Sequence, residues 1–120
     1  MKIAISSAGQ NKESFLDKRF GRCNYFLIFN TENGEYKAIK NEGGTASGGA
    51  GIAAASQVIE EDVAIIITGN LGPNAFELIE KTEIKVFGCS EIPVIQAIEM
   101  FNSNQLLEIK AAGNAHQGMK

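Results

Sequence analysis

Residues 63–78, VAIIITGNLGPNAFEL, decide the fold. The run 63–67 has the length and β-branching of a strand buried on both faces, and 69–73 turns it directly into a helix start at Pro73. In an open α/β sheet such a junction places a strand's carboxyl end beside the free amides of a helix, and ligands settle in the crevice between them. A ligand carrier or an enzyme on a parallel core is the expectation.

The segments on either side extend this reading. Upstream, 41–51 (NEGGTASGGAG) is glycine-rich and leads into IAAASQVIEED, where Ile52, Ala55, Ile59 and Val63 recur at helical spacing and predict the face that packs on the sheet. Residues 2–5 read as a first strand and 25–30 (YFLIFN) as a longer one, rich in aromatic and branched residues. Asn33-Gly34 predicts a hairpin turn into a strand over 36–40, whose alternation suits a half-exposed edge. Downstream of Pro73, Phe76 and Ile79 are the expected packing residues of the helix, with Pro73 at an early position where a missing N–H costs nothing. Residues 85–88 (KVFG) read as a last strand. Ser90 is the expected N-cap of a final helix with Pro93 in its first turn and Val94, Ile98 and Phe101 on one face. The stretch 106–109 closes the core, and the tail from about 111 is expected to be flexible. The order βββαβαβα predicts one α/β domain over residues 1–120, with helices packed on a central mixed sheet.

A chain of 120 residues, 44% hydrophobic, buries enough surface to stand without disulfides. Its net charge of −3 and pI near 5.2 argue against a nucleic-acid partner, which requires clustered Lys and Arg over a broad face. There is no apolar run of membrane-spanning length and no secretory pattern at MKIAISSAGQ, so a soluble, cytoplasmic protein is expected. Cys23 and Cys89 are then free thiols. They form no CxxC pair, and the single histidine, His116, lies in the tail, so the spacing does not suggest a zinc site.

Four features compete to carry chemistry. The segment 43–51 can present backbone N–H groups to an anion at a helix start, or serve only as a connector; it lacks the GK[ST] of a Walker A loop. In 17–23, DKRFGRC, the cations Lys18, Arg19 and Arg22 surround Cys23. Neighbouring cations lower a thiol's pKa and favour the thiolate that binds soft metals, whereas a buried cysteine is inert. In 69–75, GNLGPNA, Gly69 and Gly72 permit close backbone approach, and Asn70 and Asn74 offer polar groups near a helix start; a purely structural capped turn explains the same residues. Cys89, at the end of a short strand, either faces the same crevice edge or fills core space. Glu60, Glu61 and Asp62 read as a solvated charge run. Paired carboxylates or a histidine near the crevice are missing, so the chain is not expected to be an enzyme.

MKIAIS, RFGRCNYFLIF, the glycine-rich loop before a small-residue helix, ITGNLGPNAFELI and IKVFG before a Ser-initiated helix together resemble the dinitrogenase iron-molybdenum cofactor biosynthesis family over residues 1–110 or so. The resemblance implies a ribonuclease H-like fold with a mixed five-stranded sheet and helices on both faces, without ribonuclease activity. It also implies a cofactor, an iron-sulfur, iron-molybdenum or related molybdenum-containing metal-sulfur cluster. The family's binding patch maps onto Phe20, Gly21, Arg22, the loop residues Gly43, Gly44, Ser47, Gly48 and Gly49, and Gly69, Asn70, Gly72 and Asn74. Some cofactor-binding members carry a histidine in the loop after the third strand. NEGGTASGGAG has none, which leaves Cys23 as the expected metal ligand, with Arg22 and backbone amides offsetting cluster charge.

The function expected on this basis is that of a carrier or accessory protein for an anionic metal-sulfur cluster during cofactor assembly. The alternative is a metal-free regulatory or scaffold module that binds a partner protein such as an assembly ATPase. A weaker third reading places an anionic metabolite or nucleotide at 69–73.

Overall fold

In the computed structural model, residues 1–43 and 49–113 are described. The chain runs β1 (Lys2–Ser7), a short 3-10 turn (Phe20–Arg22), β2 (Tyr25–Asn30), β3 (Tyr36–Lys40), α1 (Ala50–Glu60), β4 (Ile65–Thr68), α2 (Pro73–Glu80), β5 (Lys85–Gly88), α3 (Val94–Asn102) and β6 (Leu107–Glu108). The strands form one mixed sheet in the order β3-β2-β1-β4-β5-β6. The β1–β4 and β4–β5 pairs are parallel, and the β1–β2, β2–β3 and β5–β6 pairs antiparallel.

Strand periodicity sorts the apolar residues onto two faces. Ala4, Phe26, Ile28, Ile66 and Val86 meet Ala54, Ala55 and Val58 of α1 and Ala75 and Ile79 of α2. Ile3, Ile5, Leu27, Phe29, Ile65 and Ile67 meet Val94, Ala97 and Ile98 of α3 on the other side. Both faces of β1 and β4 are thus covered, which is why Ile65–Ile67 is an unbroken apolar run; the strand starts at Ile65 rather than at 63, and Ala64 before it is exposed. No helix among the described residues is long and apolar enough to cross a membrane.

Three expectations need correction. The sheet has six strands rather than five. The extra β6 pairs antiparallel with β5 through Phe87↔Glu108 and Gly88↔Leu107, and Leu107 is 84% exposed, so this edge carries no burial pattern for a sequence to reveal. Ile52 is not on the packed face of α1 but 45% exposed, and Ala54, Ala55 and Val58 do the packing, with Ile59 at the margin and Val63 buried beyond the helix end. Small side chains face inward because α1 lies close to α2: a Cβ on Gly51 would stand 3.4 Å from that of Ala75. Ser90 is not the N-cap of α3. The helix begins at Val94 after Pro93, and its first amides are taken by distant carbonyls, Val94 N–H by Ser14 at 2.8 Å and Ile95 N–H by Lys12 at 2.9 Å. At the start of the tail, Gly113 N–H donates to the Leu71 carbonyl at 2.8 Å. The remainder of the tail, His116 included, lies outside the described residues.

Candidate functional site: a cationic cleft at two helix starts

The carboxyl ends of β1 and β4 carry buried hydroxyls instead of further aliphatic residues. Ser6 and Thr68 are both fully buried. Ser6 Oγ donates to the Asp17 carbonyl at 2.6 Å and lies 2.7 Å from Thr68 Oγ1. A serine hydroxyl has one proton, so with it committed to Asp17 the Ser6 oxygen accepts from Thr68. The Asp17 N–H returns a bond to the Ser6 carbonyl at 3.0 Å, and Asn70 N–H bonds the Lys18 carbonyl at 2.8 Å. The segment after β1 is thereby strapped across the ends of both central strands. At Gly69 the strap leaves room only for hydrogen, since a Cβ there would lie 2.5 Å from Lys18 Cβ and 2.7 Å from its Cα.

The strap delivers the Phe20–Arg22 turn against the start of α1. Phe20 anchors it, 2% exposed and tilted against Phe26 with ring centroids 5.2 Å apart. Gly21 permits the approach, because a Cβ there would come within 3.0 Å of Gly51 N and 3.1 Å of its Cα. The turn, the start of α1 and the start of α2 then enclose a cleft of about 460 Å³ lined by Arg19, Arg22, Gly49, Asn70, Gly72 and Asn74, among others.

The lining of this cleft is cationic. Both helix N-caps, Gly49 and Gly72, are glycines with no side chain to satisfy the first amides. The first intrahelical bonds run from Ala53 to Gly49 and from Phe76 to Gly72, so the N–H groups of 50–52 and of Asn74 and Ala75 precede the ladder. Helix starts also carry partial positive charge. Gly49 needs to be glycine for its backbone, at φ +69°. Gly72 does not: its φ of −68° and ψ of 170° suit any residue, and a Cβ would meet nothing within 4 Å. What its missing side chain provides is open space in the cleft.

Arg19 is held in place. Asp17 Oδ1 accepts from Arg19 N–H at 2.9 Å and from Nε at 3.1 Å, while Oδ2 accepts from Nη2 at 3.0 Å. Burial pushes the Asp17 carboxyl up, but the side-chain and backbone hydrogen bonds from Arg19 outweigh it and the net shift is downward, so Asp17 is a carboxylate near neutral pH. The same bonds raise the Arg19 pKa.

Of the residues expected at the site, Phe20, Gly21, Arg22, Gly49, Asn70, Gly72 and Asn74 come together here. Gly69 packs against the strap and borders a neighbouring cavity of about 600 Å³ that Asn70 also lines and that Cys89 and Met100 face. Gly43 is buried, and a Cβ on it would lie 2.5 Å from the Ala50 carbonyl oxygen. Gly44, Ser47 and Gly48 lie outside the described residues. Sequence reasoning grouped Arg19 with the thiol and not with the site; the signal was the pair of arginines flanking Phe20-Gly21.

Of the two environments open to Cys23 from the sequence, the structure shows the buried one. Cys23 does not sit in a cationic, thiolate-stabilising pocket but is fully buried among Ala4, Phe26 and Ala54, and its Sγ donates to the Phe20 carbonyl at 3.4 Å. Burial pushes its pKa up to about 12. Burial also raises the Cys89 thiol, which is only half-buried. A disulfide reagent at pH 8 is therefore expected to titrate one thiol, Cys89, in the native protein and both in denaturant. Rapid native reaction of Cys23, located by peptide mapping, would contradict this placement. Among the described residues no three His, Cys, Asp or Glu side chains gather to hold a metal ion.

Residues 1–104 match the family described as dinitrogenase iron-molybdenum cofactor. An uncharacterized protein of Methanocaldococcus jannaschii is 32% identical over 109 residues, 88% of this chain and 89% of that one. The apo form of the orange protein from Desulfovibrio gigas superposes with a TM-score of 0.89 at 29% identity, covering 94% of this chain and 96% of that protein. A Thermotoga protein solved under the name NifB superposes at 0.83, also 29% identical, over 95% and 97% of the two chains. With the match spanning both the cleft and the sheet that supports it, the chain belongs to the dinitrogenase iron-molybdenum cofactor family.

Proposed function

We propose that this protein is a carrier, not a catalyst, for an anionic metal-sulfur cluster of the iron-sulfur or molybdenum-containing kind, and that the cluster rests in the cleft at the starts of α1 and α2. One observation supports the reading: two helix starts with glycine at the N-cap and two arginines line a single cleft. Backbone amides and arginine donate hydrogen bonds and positive charge, which suits the terminal sulfides of a cluster whose metals already have their ligands. The buried Cys23 is read here as a core residue rather than a metal ligand. We also read the order β3-β2-β1-β4-β5 as the ribonuclease H-like arrangement, with β6 added at its edge.

Anaerobic incubation with tetrathiomolybdate, a molybdenum sulfide dianion, followed by desalting and metal analysis, tests the reading. Wild type and Cys23→Ala are expected to retain the same stoichiometric molybdenum. Loss of all metal from wild type would sink the cluster reading, and selective loss from a folded Cys23→Ala variant would restore the thiol as a ligand.

A further inference from the structure

A carboxylate beside a site for anions looks like an electrostatic error. Asp17 is 7% exposed, ionised, and within hydrogen-bond distance of a guanidinium that lines the cleft. Coulomb's law alone assigns it a repulsive effect on any anion bound there. Its attachments suggest otherwise. Its backbone is tied on both sides to Ser6, at the end of a central strand, and its side chain grips Arg19 by three bonds. The Arg19 side chain is otherwise 62% exposed, so without this grip it would sample many rotamers.

We propose that Asp17 is a positioning residue for the cleft: it fixes the Arg19 guanidinium by its Nε–Nη2 edge and thereby presents the Nη1 edge to the sulfides of the bound cluster. The inference rests on the cluster reading of the cleft. A fork held in one orientation loses less freedom on binding than a mobile one, and this gain outweighs the repulsion from the carboxylate. Asp17, Arg19 and Arg22 together carry one positive unit with Asp17 ionised and two without it, while Lys18 and Glu91 nearby offset each other, so the device gives up long-range attraction for orientation.

That opposition of signs makes the proposal testable. Affinity for tetrathiomolybdate is measured anaerobically by equilibrium dialysis at two salt concentrations for wild type, Asp17→Asn, Arg19→Ala, Arg19→Lys and the Asp17→Asn/Arg19→Ala double variant. Asparagine keeps an oxygen for the Arg19 amide, so the strap is retained. Asp17→Asn is expected to bind about fivefold more weakly, with a steeper salt dependence, and to weaken binding no further once Arg19 is alanine, where removing the carboxylate only relieves repulsion. Arg19→Lys, which keeps the charge but not the fork, is expected to fall with Arg19→Ala. Tighter or unchanged binding by Asp17→Asn, an equal loss in the Arg19→Ala background, or wild-type affinity in Arg19→Lys would each overturn the positioning role. If wild type itself binds no tetrathiomolybdate, the cluster reading fails and takes the inference with it, whereas the other outcomes leave that reading standing.

Discussion

Gly69→Ala is expected to lower stability by about 3 kcal/mol, roughly 10 °C in Tm, and to abolish cluster retention as well. The new Cβ would lie 2.7 Å from Lys18 Cα, and neither backbone can yield cheaply. Asn70 N–H is bonded to the Lys18 carbonyl, and Asp17 is bonded to the end of β1 on the other side. Relieving the clash means lifting the strap, and the strap carries Arg19 and the Phe20–Arg22 turn into the cleft. Thermal unfolding with metal analysis on the same sample checks both halves. A Tm within about 1 °C of wild type would show that the strap is not seated as described.

Gly72→Thr is expected to do the reverse, leaving stability equal or slightly higher while weakening binding about tenfold or more. Threonine is at least as good an N-cap as glycine, and the φ and ψ at this position suit it. Its hydroxyl would take one of the amides that precede the α2 ladder, and its methyl would occupy the space that the glycine leaves open. Losing one charge-assisted bond costs about 1.5–3 kcal/mol, which is the basis for the tenfold figure. Unaltered affinity in this variant would mean that the start of α2 does not touch the ligand. Together the two glycines separate roles that the sequence shows as one motif: Gly69 builds the site by close packing, and Gly72 leaves room within it.

Much of this fold was legible because its signals are local. Tyr25–Asn30, Tyr36–Lys40 and Lys85–Gly88 have the bounds their branched and aromatic residues suggest, and Pro73 opens α2 where its missing N–H costs nothing. What escaped was set by distant partners. The capping of α3 by Lys12 and Ser14 carbonyls leaves no trace near Ser90, and the two-residue β6 buries too little to show a period. Helical spacing puts Ile52 beside Ala55 on the packed face of α1, whereas the close approach of α2 leaves Ile52 exposed and buries Ala54, Ala55 and Val58. The cleft was legible in outline, since FGR and GNLGPNA mark two of its walls. The state of Cys23 was not, because a run of cations in sequence says nothing about which side of the turn the thiol occupies. Arg22 is exposed, while Cys23 beside it is buried in the core.

The central claim is that the cleft itself receives the cluster, and backbone amide shifts read this directly. In a heteronuclear NMR titration of the labelled protein with tetrathiomolybdate under anaerobic conditions, the largest changes are expected at 19–22, at 50–52 and at Asn74 and Ala75. Saturating changes centred instead on Cys89 and Met100, or no saturable change at all, would contradict it.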